Sequence, residues 1–134
     1  MTTREAIRNF LDQKTLAVVG VSRSEKKFSY RLYKTLKTKG YQLFPVNPNT
    51  ARIDEEICFC NIQSLPQPVD GVVIVVPPNQ TEKVVKDAVA AGINHIWIQQ
   101  GAESEEAIGF CKKNGINVIH HQCILMFRRP VIST

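Results

Sequence analysis

Three times in this chain a helical pattern runs into a glycine and then directly into a strand-like run: KTKG-Y at Gly40, AAG-I at Gly92 and KNG-I at Gly115. A glycine at that point closes a helix in the left-handed conformation, which other residues adopt only at a cost. The runs that follow are YQLFPV (41–46), NHIWIQ (94–99) and INVIHH (116–121). Two more, TLAVVGV from Thr15 and GVVIVV (71–76), have the same character. They are apolar on successive residues instead of alternating, as expected of strands covered on both faces.

Amphipathic segments lie between the runs. Leu32, Tyr33 and Leu36 form one apolar stripe, Val84, Val85, Ala88 and Val89 a second, and Ala107, Ile108 and Cys111 a third. Thr2-x-x-Glu5 has capping-box spacing, and Ala6, Ile7, Phe10 and Leu11 then share a face, so a short N-terminal helix is expected as an addition to the body. Buried strands alternating with such helices imply right-handed crossovers. The predicted fold is α/β, a three-layer, doubly wound parallel sheet of about five main strands. Residues 49–68 are the irregular stretch, in which CFCNIQSLPQP (58–68) carries at most a short strand or one helical turn.

At 134 residues the chain is expected to be a single domain over 1–134, and 43% apolar residues suffice for one core. Its longest apolar run, Val72 to Val76, is far short of the ~20 residues that cross a bilayer. Arg4, Glu5, Arg8 and Asp12 interrupt any signal-peptide core, so a cytoplasmic location is expected. Seventeen basic residues against 12 acidic ones give a net charge of +5, a balance suited to a phosphorylated ligand. The basic residues are dispersed and no aromatic stacking platform accompanies them, which disfavours nucleic acid. Cys58, Cys60, Cys111 and Cys123 lack metal-site spacing, so no metal is expected.

In an open parallel sheet, ligands bind beyond the carboxyl ends of the strands where the strand order reverses. After the first strand comes Gly20-Val21-Ser22, then a loop with Arg23, Lys26 and Lys27 that leads into a helix N-terminus able to receive phosphate. One glycine instead of three excludes a dinucleotide fingerprint. Asn47 at the end of the second strand is neutral where NAD requires an acid. Pro77 and Pro78 stiffen the exit of the third strand, and Asn79-x-x-Glu82 again has capping-box spacing. Adjacent His120 and His121 point to opposite faces if the last strand continues, and Cys123 beyond them reads as a packing residue.

LAVVGVS with its basic loop, YQLFPVNP, VDGVVIVVPP, HIWIQQGAESEEA and HHQCILM together resemble the small single-domain CoA-binding proteins of the Rossmann type. These are similar to the CoA-binding domain of the succinyl-CoA synthetase α subunit, without the domain that supplies catalysis. The resemblance implies coenzyme A or an acyl-CoA as ligand. Its diphosphate would lie over Gly20, Val21, Ser22, Lys26 and Lys27, and its nucleotide end would reach Asn47 and Pro48. The pantetheine arm would pass Val76, Pro77, Gln99, Gln100 and Gly101. No catalytic residue is assigned; carriage, sensing or service to a partner enzyme or a second copy is implied, with no membrane and no nucleic acid. Two other readings stay open: a small NADP-dependent reductase in which Lys26 or Arg23 meets the extra phosphate, and an interaction module docking through Ile124 to Phe127.

Overall fold

The structure, a computed structural model, describes residues 2–129. Its main sheet has five strands: β1 (Thr15–Val19), β2 (Gln42–Val46), β5 (Gly71–Ile74), β6 (His95–Gln99) and β7 (Asn117–Gln122). A two-stranded hairpin, β3 (Arg52–Ile53) and β4 (Glu56–Ile57), lies apart from it. The sheet order is β2-β1-β5-β6-β7, and every neighbouring pair is parallel. The expected doubly wound α/β fold is therefore the observed one.

Alternation along the strands sorts the helices into two layers. Ala17, Val19, Val72, Ile74, Ile96 and Ile98 face α3 (Pro78–Ala90) and α4 (Glu105–Lys113). Leu16, Val18, Val73 and Trp97 point the other way, toward α1 (Thr3–Leu11) and α2 (Phe28–Thr38). Both sets are almost wholly buried, which explains runs without polar alternation.

The N-terminal helix is more than an addition. Thr2 caps α1, its Oγ1 accepting the Glu5 amide at 3.1 Å. Phe10 is fully buried, with its ring edge-on to Trp97 at 5.4 Å. Asn117 Nδ2 donates to the Ala6 carbonyl at 3.1 Å, so α1 is fastened over the β6–β7 half of the sheet. Pro78 occupies the first turn of α3 with Pro77 at the cap, so Asn79 lies inside the helix and is not its cap. The ring of Pro78 presets the helical φ and needs no amide donor there.

The last strand carries a correction. His121 has φ +59°, and the register with β6 slips by one residue between Trp97 and Gln99. This bulge cancels the alternation, so the two histidines do not point to opposite faces. Their Nδ1 atoms lie 2.7 Å apart. Beyond the bulge, Ile124 is buried and Phe127 packs edge-on to Trp97 at 5.7 Å, so these two side chains join the core, while Met126 between them is exposed.

The irregular stretch holds the β3–β4 hairpin and a 3-10 turn over Ile62–Ser64 capped by Asn61. The hairpin is clasped to α2 through polar pairs. Asp54 meets Tyr30 and Lys34, and Glu56 meets Tyr33 and Lys37. Among the described residues, no helix is long and apolar enough to cross a membrane.

Candidate functional site

The sheet order reverses at β1: the chain leaves it for β2 on one side and later returns to β5 on the other. The two crossover helices that follow β1 and β5 lie on opposite faces, so a crevice opens beyond the carboxyl ends of these strands. Gly20 sits in its throat. Its amide donates to the Val46 carbonyl at 2.8 Å, and its φ is +106°. A Cβ there would lie 2.9 Å from Val76 Cγ1 and 3.0 Å from the Val75 carbonyl carbon and oxygen. Glycine is thus required both by conformation and by the close passage of the two strand exits.

The crevice is a cleft of about 640 Å³, within the size range of small-molecule sites. Val46, Ile62, Val76 and Val84 give it apolar wall, and Asn49, Asn61, Asn79 and Gln80 give it hydrogen-bonding groups. Of the residues anticipated from sequence, Gly20, Asn47, Pro48, Val76 and Pro77 line it together. The Asn47 amide is already committed. Its Nδ2 donates to the Val21 carbonyl at 2.9 Å, and its Oδ1 accepts the Asn49 amide at 2.9 Å. It ties the loop after β2 to the loop after β1 and offers no carboxylate to a ribose.

The other anticipated residues do not line the cleft. Val21 is fully buried on the α2 side of the sheet. The Ser22 amide donates to Ser29 Oγ, and Ser22 Oγ accepts the Ser24 amide, both at 3.0 Å, so the loop is folded on itself. Lys26 and Lys27 are exposed on that loop. Lys27 is the cap residue of α2 and supplies no side-chain acceptor to its first-turn amides. That end therefore keeps its partial positive charge beside two cations.

Gln99 is 2% exposed and turned toward the C-terminal segment. Its Nε2 donates to Cys123 Sγ at 2.9 Å, and its Oε1 accepts the Ile124 amide at 3.1 Å. Gln100 and Gly101 are exposed after β6, where their amides donate to the Gln122 carbonyl and to Glu103 Oε1. Cys123 is half-buried against Gln99, as a packing residue would be.

The structure adds residues that sequence reasoning missed. Asn79, Lys83 and Asp87 follow one another at intervals of four along α3, and all three line the cleft. That spacing was a readable polar stripe, but on an amphipathic helix such a stripe reads first as a solvated face. Cys60 and Asn61, in the loop between hairpin and sheet, form another part of the wall. Among the described residues, no three His, Cys, Asp or Glu side chains converge as a metal ion requires.

Residues 14–129 match the CoA binding domain family. The chain is 31% identical over 124 residues to an ADP-forming acetate–CoA ligase II of Archaeoglobus fulgidus, covering 84% of this chain but 18% of the ligase. It is 32% identical over 114 residues to the uncharacterized protein YneT of Bacillus subtilis, covering 83% of this chain and 82% of that one. A conserved hypothetical protein from Pyrococcus furiosus superposes with a TM-score of 0.80 at 39% identity, over 84% of this chain and 97% of its own. With a match running through all five strands of the sheet, the chain belongs to the CoA-binding domain family.

Proposed function

We propose that this domain binds coenzyme A or an acyl-CoA in the cleft beyond β1 and β5, as a carrier, a sensor or the nucleotide-holding partner of a separate enzyme. One observation carries the reading most directly. The cleft opens at the point where the strand order reverses, yet the end of β2 offers it Asn47, whose amide is spent within the protein, instead of an acid. A nucleotide held there is not selected by a carboxylate on its ribose, which disfavours NAD. The apolar wall suits a pantetheine arm, and the uncapped N-terminus of α2 with Lys26 and Lys27 suits a diphosphate.

A ligase in which such a domain is a small part, and an ADP-forming acetate–CoA ligase II subunit α from Pyrococcus furiosus, 29% identical over 126 residues, support the role of nucleotide-holding partner. The reading is tested by native mass spectrometry of the protein mixed in turn with CoA, acetyl-CoA, NADP and NAD. Selective retention of CoA or acetyl-CoA is expected. Retention of NADP alone would replace the reading with a reductase, and retention of none would remove it.

A further inference from the structure

The cleft carries its own cation, on α3 and not on the loop after β1. Lys83 is the sole Lys or Arg among the described residues that line it. Its ammonium lies 3.1 Å from Asp87 Oδ2, and Asp87 lines the same cleft one turn further on. The pair is loosely held, because the Lys83 side chain is 81% exposed. An exposed pair of this kind is worth well under about 1 kcal/mol and is readily given up. A second pair on the helix, Glu82 with Lys86, lies elsewhere, with Lys86 Nζ 5.6 Å from the Phe110 ring of α4.

The floor beneath Lys83 is firm. Thr81 and Val85 on the same helix are fully buried, and Thr81 Oγ1 donates to the Ala102 carbonyl at 2.7 Å. Gln63 Nε2 donates to the Asp87 carbonyl at 3.1 Å and ties the 3-10 turn to α3. A long flexible cation thus stands on a rigid helix, paired only to a monoanion. A phosphomonoester carries a charge of about −1.5 to −2 at neutral pH and offers three acceptor oxygens. Placed in this cleft, it outcompetes one carboxylate for the ammonium.

We infer that the Lys83–Asp87 pair reads the phosphomonoester on the ribose of the bound nucleotide, with Lys83 swinging from Asp87 to the phosphate. The inference rests on the proposed CoA reading and deepens it, since it gives the nucleotide end of the ligand to α3. Asp87 opposes the phosphate and sets how strongly a ligand must be charged to take Lys83.

The test is isothermal titration of CoA and of 3′-dephospho-CoA against the wild type, Lys83→Gln and Asp87→Asn. Both substitutions fall at solvent-accessible helix positions, and circular dichroism confirms the fold. The wild type is expected to prefer CoA by about tenfold, as one charge-assisted contact provides. Lys83→Gln should weaken CoA to the level of 3′-dephospho-CoA and leave 3′-dephospho-CoA unchanged. Asp87→Asn should tighten CoA by about twofold to threefold, and the wild-type preference should shrink in high salt. A preference that survives Lys83→Gln, or no preference in the wild type, overturns the assignment of Lys83 while leaving the CoA site intact. Failure of both nucleotides to bind the wild type overturns the site reading itself, and this inference with it.

Discussion

Replacing Gly20 by alanine separates two reasons for a glycine at the throat of the cleft. The first is conformational: at φ +106° an L-residue is strained by about 1–2 kcal/mol. The second is contact. The new methyl would lie 3.0 Å from the backbone carbonyl of Val75, which cannot rotate away, and overpacking of this sort costs about 1–3 kcal/mol. Together they predict a loss of about 3–4 kcal/mol, a large part of the stability of an ordinary domain. Gly92→Ala isolates the first cost, because φ there is +79° and nothing lies within 4 Å of the added methyl. Gly109→Ala, inside α4 with equally open space, should instead stabilise by about 0.5–1 kcal/mol. In urea, with a slope of about 1.5 kcal/mol per molar, the midpoint should fall by about 2 M for Gly20→Ala and about 1 M for Gly92→Ala, and rise slightly for Gly109→Ala. If Gly20→Ala loses no more than Gly92→Ala at equal slope, the strand exits are not in hard contact and the argument fails.

Three further outcomes follow from the site and its supports. With a thiol reagent on the native protein, exposed Cys60 should react first and be protected by CoA, since it lines the cleft. Cys111, raised to about 11 by burial, should react only on unfolding, so rapid labelling of Cys111 would contradict the packing under α4. Gln99→Leu leaves the buried Ile124 amide without its acceptor and should cost about 2 kcal/mol in a denaturant melt while quickening Cys123 labelling; an unchanged melt would refute the tie. Asp70 is pushed up by partial burial, but hydrogen bonds from the Thr15 and Lys14 amides outweigh this and hold it below its ordinary value of 3.8. Its contribution to stability is whole above about pH 4 and drains away as pH falls through the lowered value. Asp70→Asn should therefore flatten the acid limb of a stability–pH curve, and an unaltered limb would show that Asp70 does not shape it.

The fold was legible because its grammar is local. Buried runs such as 15–19 and 71–74 admit only a two-sided sheet, and helix-ending glycines mark where strands begin. The weight of α1 was not legible, since nothing near Phe10 in sequence announces Trp97. The bulge at His121 was equally hidden, because an inserted residue leaves no trace in a run that does not alternate. The same division runs through the site. Gly20, Asn47, Pro48, Val76 and Pro77 stand just after strands, so topology alone gathers them. Lys83 and Asp87 sit one and two turns further into α3 than Asn79, where only three-dimensional neighbours distinguish a cleft wall from a solvated face.

The docking of α1 also orders events in time. The first helix of the chain rests on its last two strands, and the bond from Asn117 to Ala6 spans 111 residues. During synthesis, α1 can meet Leu16, Tyr41 and Gly71 early, but its seat on β6 and β7 is completed only when those strands have been made and have paired beside β5. Contacts of such separation close late and slowly. Until then Phe10 lacks the Trp97 ring that covers it, so the packing of α1 is completed late although its residues are made before every strand of the sheet. Pulse-labelled amide exchange during refolding should find the amides of α1 protected after those of β1 and β5.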